Sequence, residues 1–317
     1  MPAGPPPGAA PGLVTVRLLG SFEVRGDSSG AVLGARDLGG GKPRQIFAIL
    51  ALHAGSVVSK EHLVELLWDG RPPSEAAATL ESYVSVLRNH LRPVCSDRSR
   101  LVRTAVAGYT VAREHVRLDV EHFRTLLHQA ETAEPPRAHG LLQQALLLGE
   151  APLLVEERAS SWADDLRRTH ARLVHGALVS AAEAAAALGL TDVALATSER
   201  ALAADPHSEA AWAARLTALE RAGRHAEALR AFGECRRRFA RELGCAPGPV
   251  LQDVQRRLLD GAAEVDAELG DLIVALLRLR DHVDGGADLR TARDLAEACA
   301  ALEDLVARAR SASRANG

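Results

Sequence analysis

Aromatic side chains are scarce in this chain, 3% of 317 residues, which tells against an all-β core. The Ala- and Leu-rich second half instead suits close packing of helix on helix. Cysteine is equally thin. Cys95, Cys235, Cys245 and Cys299 show no Cys-x-x-Cys spacing and no histidine at ligand distance, so neither a zinc site nor a disulfide framework is expected, and the thiols read as reduced and structural. No charge-free apolar run reaches 18 residues, and the opening residues lack the basic and apolar regions of a signal peptide; the expectation is a cytoplasmic protein without a membrane partner. The twelve histidines include no His-x-x-x-His pair, and Asp164-Asp165 reads as solvated charge on a helix. Gly39-Gly-Gly-Lys42 invites comparison with a phosphate-binding loop. However, Arg36 stands where the first glycine belongs and Pro43 where Ser or Thr would hold magnesium. No catalytic, cofactor or metal constellation survives, and an enzyme is not expected.

What is present divides the chain. Residues 1–12, rich in Pro and Gly, read as a disordered lead-in, and residues 14–24 alternate as one half-buried strand would. Ala31-Val-Leu is a possible short strand. A helix over about 43–54 follows, with Pro43 suited to its first turn, then a second one capped by Ser59 and stopped before Pro72-Pro73. A third helix runs from about Ser74 to Leu91, with Pro93 beyond it. Two short strands, Arg100–Thr104 and Gly108–Val111, flank a tight turn. Strands, three helices and a hairpin make the element order of a winged helix-turn-helix. Residues 13–113 are therefore read as that domain, mainly helical with a small β component.

From Leu118 the pattern is almost wholly helical. Gly189 and Gly223 lie 34 residues apart, and Ala194/Ala228 and Leu195/Leu229 keep that offset, the period of a tetratricopeptide helix pair, although an Ala-rich chain also offers chance matches. Residues 118–260 are read as this repeat domain and 261–317 as a helical extension, either a cap on the array or a partner surface.

The net charge is −3, too low for a uniformly basic coat, yet residues 13–112 hold 12 Lys and Arg against 9 Asp and Glu. That local excess permits DNA binding. At about 100° per residue, Leu80, Val84, Leu87 and Leu91 share one face of the third helix. Ser82, Ser85, Val86 and Asn89 lie opposite, with Thr79 and Arg92 at the margins. Ser and Asn suit base edges and Val86 a thymine methyl; the alternative is an ordinary solvated face. Phosphate contacts are expected from Lys42 and Arg44 at the first helix, from Arg88 and Arg92, and from Arg103 in the wing.

Several motifs in order also resemble a family. These are Gly55–Trp68 (GSVVSKEHLVELLW), Thr79–Arg88 (TLESYVSVLR), Gly108-Tyr109, Ala222–Arg230 (AGRHAEALR) and Arg241–Pro249 (RELGCAPGP). They resemble the Streptomyces antibiotic regulatory protein type of activator, an OmpR-like winged helix joined to a bacterial transcriptional activator domain. The resemblance implies a pathway-specific activator that binds direct repeats in double-stranded promoter DNA, self-associates there and recruits RNA polymerase. It departs from the family at Val86, where Arg is frequent, and at Ala105, where a basic wing residue is frequent; the departures imply a different, more A·T-rich site, weak binding, or the need of a partner. The rival reading is a protein-interaction adaptor whose winged helix no longer contacts DNA, and the residues fix neither activation nor repression.

Overall fold

The structure is a computed structural model describing residues 13–95, 101–157 and 160–260. The expectations for residues 1–12 and 261–317 fall outside these.

The expected first strand is two strands. β1 (Val14–Arg17) and β2 (Glu23–Gly26) pair antiparallel with Arg17 opposite Glu23, because the chain reverses at Gly20, and β3 (Val32–Gly34) adds to β2. Val14, Val16 and Val24 are fully buried while Arg17 and Arg25 face solvent, as the two-residue period requires. α1 (Gly41–Leu52), α2 (Lys60–Trp68) and α3 (Ala76–His90) follow. Ser59 caps α2 as its sequence predicts, its hydroxyl accepting the His62 amide at 3.1 Å. β4 (Val58–Ser59), β5 (Val102–Ala105) and β6 (Gly108–Val111) form a second sheet in the order β4-β6-β5. The wing is thereby tied to the residues that open α2.

β7 (Val116–Leu118) was not foreseen. It returns from the wing to pair parallel with β1, completing a sheet ordered β3-β2-β1-β7. Just beyond it, the Asp119 carboxylate accepts the amides of Leu18, Leu19 and Val120 at 2.8–3.0 Å. Burial pushes this carboxyl up from its ordinary range, against the downward pull of those hydrogen bonds.

α4 (Asp119–Glu131), α5 (Pro135–Gly149) and α6 (Ser161–Ala187) come next. One apolar cluster runs from Val14 through Phe47 and Leu87 to Phe123 and Ala163. The first compact unit consequently extends past residue 113, to Ser180, and the division of the chain falls inside α6.

The second unit begins at Ala181 and holds α7 (Thr191–Ala204), α8 (Glu209–Arg221), α9 (His225–Glu242) and α10, the helix over 249–260. The 34-residue period is structural. Gly189 and Gly223 have φ of 74° and 69°, and each preceding helix closes through a bond of the same kind, Leu190 N–H to Ala185 C=O and Arg224 N–H to Leu219 C=O, both 2.9 Å. Ala194 and Ala228 are fully buried at equivalent places, where a small side chain lets the helices approach. The motif after the repeats folds back within this unit, the Gly248 amide donating to Glu209 at 2.8 Å.

Candidate nucleic-acid interface

α3 owes its position to its buried face. Leu80, Val84 and Leu87 are inside, as is Leu91 just past its end. Opposite, Ala78, Ser82, Ser85 and Asn89 are exposed in one stripe at spacings of four, three and four, and Arg92 is exposed beyond them. Three of the expected reading residues, Ser82, Ser85 and Asn89, are thus brought together on one accessible surface.

Val86 is not on that surface. It is half-buried, and a Cβ placed on Gly39 would come within 2.4 Å of its Cγ1. Gly39, at φ 83°, admits Val86 and His90 against the loop before α1, so the valine is partly covered by that loop and only partly open to solvent. Thr79 is half-buried and turns its hydroxyl back to the Glu75 carbonyl at 2.9 Å.

The expected phosphate contacts divide in the same way. Lys42 Nζ donates to the Leu67 carbonyl and lies 5.8 Å from the Trp68 ring centre; it closes the C-terminal end of α2, where a cation is favourable. Arg44 Nε donates to Glu157 at 2.7 Å, and its side chain is 16% exposed against 3% for Glu157. Gln45 donates to the same carboxylate at 2.6 Å. Both cations are half-buried and already have partners within the protein, which they would have to leave or share to meet a phosphate. Arg88 is likewise structural. Its Nε donates to the Val102 carbonyl at 3.0 Å and its Nη2 to Thr104 Oγ1 at 2.8 Å, locking the end of α3 to β5. Arg92 remains exposed. Arg103 stands on the wing at 44% exposure, 3.4 Å from Glu114.

The residue spacing gave no sign of Tyr109 as the pillar of this site. Its ring is buried, with Lys60 Nζ 6.0 Å and the Arg88 guanidinium 5.9 Å from its centre. Lys60, at the start of α2, also pairs with Glu81 of α3 at 2.6 Å, and that hydrogen bond raises its ammonium above the usual lysine value. One aromatic side chain thus sets the spacing of α2, α3 and the wing. Only its membership of the Gly108-Tyr109 motif marked it in the sequence. At the tip of the hairpin Val106 is fully exposed, an apolar point between Ala105 and Ala107.

Comparison with known proteins completes the description. Residues 39–111 match the family described as transcriptional regulatory protein, C terminal, and residues 118–259 match the bacterial transcriptional activator domain. The chain is 31% identical over 236 residues to the regulatory protein DnrI of Streptomyces peucetius, spanning 71% of this chain and 86% of that protein. It is 28% identical over 254 residues to the transcriptional regulator RedD of Streptomyces coelicolor, spanning 76% and 69%. Among solved structures, Mycobacterium tuberculosis EmbR in complex with a low-affinity phosphopeptide superposes with a TM-score of 0.70 at 25% identity, covering 84% of this chain and 71% of that one.

Proposed function

The chain belongs to the Streptomyces antibiotic regulatory protein family of transcriptional activators, and on that premise we propose that it binds double-stranded promoter DNA through α3 and its wing and recruits RNA polymerase to genes of a secondary-metabolite pathway. The observation that carries the reading is the exposed stripe of Ser82, Ser85 and Asn89 on a helix whose other face is buried and whose end is fastened to the wing by Arg88. Such a helix enters a major groove as a rigid body. Asn89 meets an adenine edge with two hydrogen bonds, and the serine hydroxyls adapt to donors or acceptors. Thr79 lies at the margin of that contact. Arg92 and Arg103 reach phosphates, Arg103 exchanging its exposed contact with Glu114 for a backbone oxygen. Lys42, Arg44 and Arg88 hold the domain together instead, and Val86 is the residue that the Gly39 loop partly covers. In this reading copies of the chain bind direct repeats head to tail, each presenting the same face to one turn of DNA.

The commitment of so many cations inside the protein favours one alternative, an adaptor whose winged helix has left DNA. Salt dependence separates the two. Each arginine that displaces a counterion contributes about −0.9 to the slope of log affinity against log salt. A mobility-shift titration of the full chain on promoter DNA from its own gene neighbourhood is expected to give sequence-selective retardation, a shallow slope near −2 per protomer, and a shallower one for Arg92→Ala. Equal retardation of scrambled DNA, or none at any salt, overturns the DNA-reading proposal and leaves the adaptor.

A further inference from the structure

The second unit carries an arginine-rimmed groove that the repeat packing does not use. Parts of α7, α8 and α9 enclose a hollow of 370 Å³, floored by Leu195, Leu219 and Ala231 and rimmed by Arg215, Arg230 and Arg237. A second hollow of 340 Å³ adjoins it, sharing Arg215 and Glu234. Nearby Arg224 is neutralised by Glu227 at 2.7 Å and Arg238 lies 3.7 Å from Glu242. By contrast, none of Arg215, Arg230 and Arg237 has a carboxylate within ion-pair distance among the described residues. The Arg237 guanidinium lies along α9, its Nη1 3.5 Å from where a Cβ of Gly233 would sit; the missing side chain gives it room over the helix. Three guanidinium groups without a close ion pair stand around an apolar floor, with Glu227 and Glu234 between them only partly offsetting their charge, which leaves the rim net positive and suited to an anionic partner.

The order of charge along α9 decides what kind of anion fits. Glu227, Arg230, Glu234 and Arg237 alternate, so a compact dianion would meet both signs at once, whereas a polypeptide with spaced carboxylates meets the arginines and passes the glutamates with neutral or basic residues. Arg230 and Arg237 are two helical turns apart, about 10.5 Å along the axis. Carboxylates seven residues apart on a second helix have the same separation, and leucines between them reach Leu195, Leu219 and Ala231.

We propose that this groove docks an acidic amphipathic helix of a partner protein, with carboxylates at seven-residue spacing and apolar residues between them. The inference is independent of DNA reading by α3. It is tested by fluorescence anisotropy of the full chain with a labelled 21-residue helical peptide carrying Glu at seven-residue spacing and Leu on the same face, beside a twin with Gln for Glu. Wild type is expected to bind the Glu peptide at least tenfold more tightly than its twin, and Arg230→Ala and Arg237→Ala to lose that preference. Arg256→Ala, exposed on α10 outside the groove, should leave it unchanged. All three substitutions are at exposed positions, so an unchanged melting temperature confirms folding, and unchanged DNA mobility shifts keep this test separate from the first. Equal binding of the twins, no binding, or retention by the arginine variants overturns the proposal, as does displacement of the peptide by inorganic phosphate at constant ionic strength, which would identify a simple anion site.

Discussion

Glu157 is 97% shielded from solvent and would be costly to bury as a charge without Arg44 and Gln45, both of which reach it from α1. The Glu156 side chain beside it accepts the Phe22 amide at 2.9 Å. Two consecutive acids therefore tie the N-terminal sheet and the first helix of the winged helix to the segment that follows α5. Breaking a buried pair from one side leaves the other charge uncompensated, at a cost of about 3–5 kcal/mol. Arg44→Ala is accordingly expected to lower the melting temperature by roughly 10 °C while leaving the salt slope of DNA binding as in wild type at temperatures where the variant is folded. A flattened slope without a stability loss would return Arg44 to the phosphate-binding role that its place at the start of a helix suggests. The described cysteines differ in environment, Cys95 and Cys235 being buried and Cys245 exposed. Burial pushes the Cys235 thiol up to about 12, whereas Cys245 is exposed. In a Cys299→Ser background at pH 8, a thiol reagent should label Cys245 in the folded protein and reach Cys235 only on unfolding; prompt labelling of both would contradict the packing of α9.

At the scale of elements, α3 and the wing act as one piece. Arg88→Ala removes two hydrogen bonds from a cation to β5, worth about 1–3 kcal/mol together at this half-buried position. It is expected to raise amide exchange in Val102–Ala105 and to weaken DNA binding on all sequences with little change in salt slope. Asn89→Ala should relax sequence preference by about 1–3 kcal/mol at one base pair; identical selectivity of that variant and wild type would remove Asn89 from the reading face. How far these elements could be read in advance follows from the reach of the forces that shape them. The 100° period placed Leu80, Val84 and Leu87 inside and Ser82, Ser85 and Asn89 outside because a helix presents its own faces. Val86 escaped the same arithmetic because its burial depends on Gly39, almost fifty residues earlier. β7 has three residues and exists through its parallel pairing with β1, a hundred residues away, and β4 has two residues and depends on β6; no local pattern encodes such partners. Likewise, a fixed alternation over 14–24 does not show that the chain turns at Gly20. The helical repeat was legible because both halves of its signal, the turn glycine and the buried alanine, recur within one period.

For the whole molecule, the balance of charge bears on how copies assemble. The chain is net −3, with 12 basic and 9 acidic residues over 13–112 and 26 against 32 elsewhere, so on the proposed DNA-reading function a duplex would attract one part of each copy and repel the remainder. Under the same proposal a single copy with few phosphate contacts would hold one site weakly, and occupancy of a promoter would depend on neighbours that stabilise one another. Head-to-tail copies contact each other only when their sites face the same side of the duplex, that is, at a spacing of one helical turn, about 10–10.5 bp centre to centre. Inserting 5 bp between two repeats puts the second protomer on the opposite face, and rotating them together again by inserting 10 bp restores alignment at a greater distance. The expected outcome in a footprinting titration is steep joint occupancy of both repeats at the native spacing, loss of the steepness and at least tenfold weaker half-saturation with 5 bp inserted, and partial recovery with 10 bp. Occupancy that is indifferent to the insertion would mean that each protomer binds alone, and the affinity would then have to come from contacts beyond α3 and the wing.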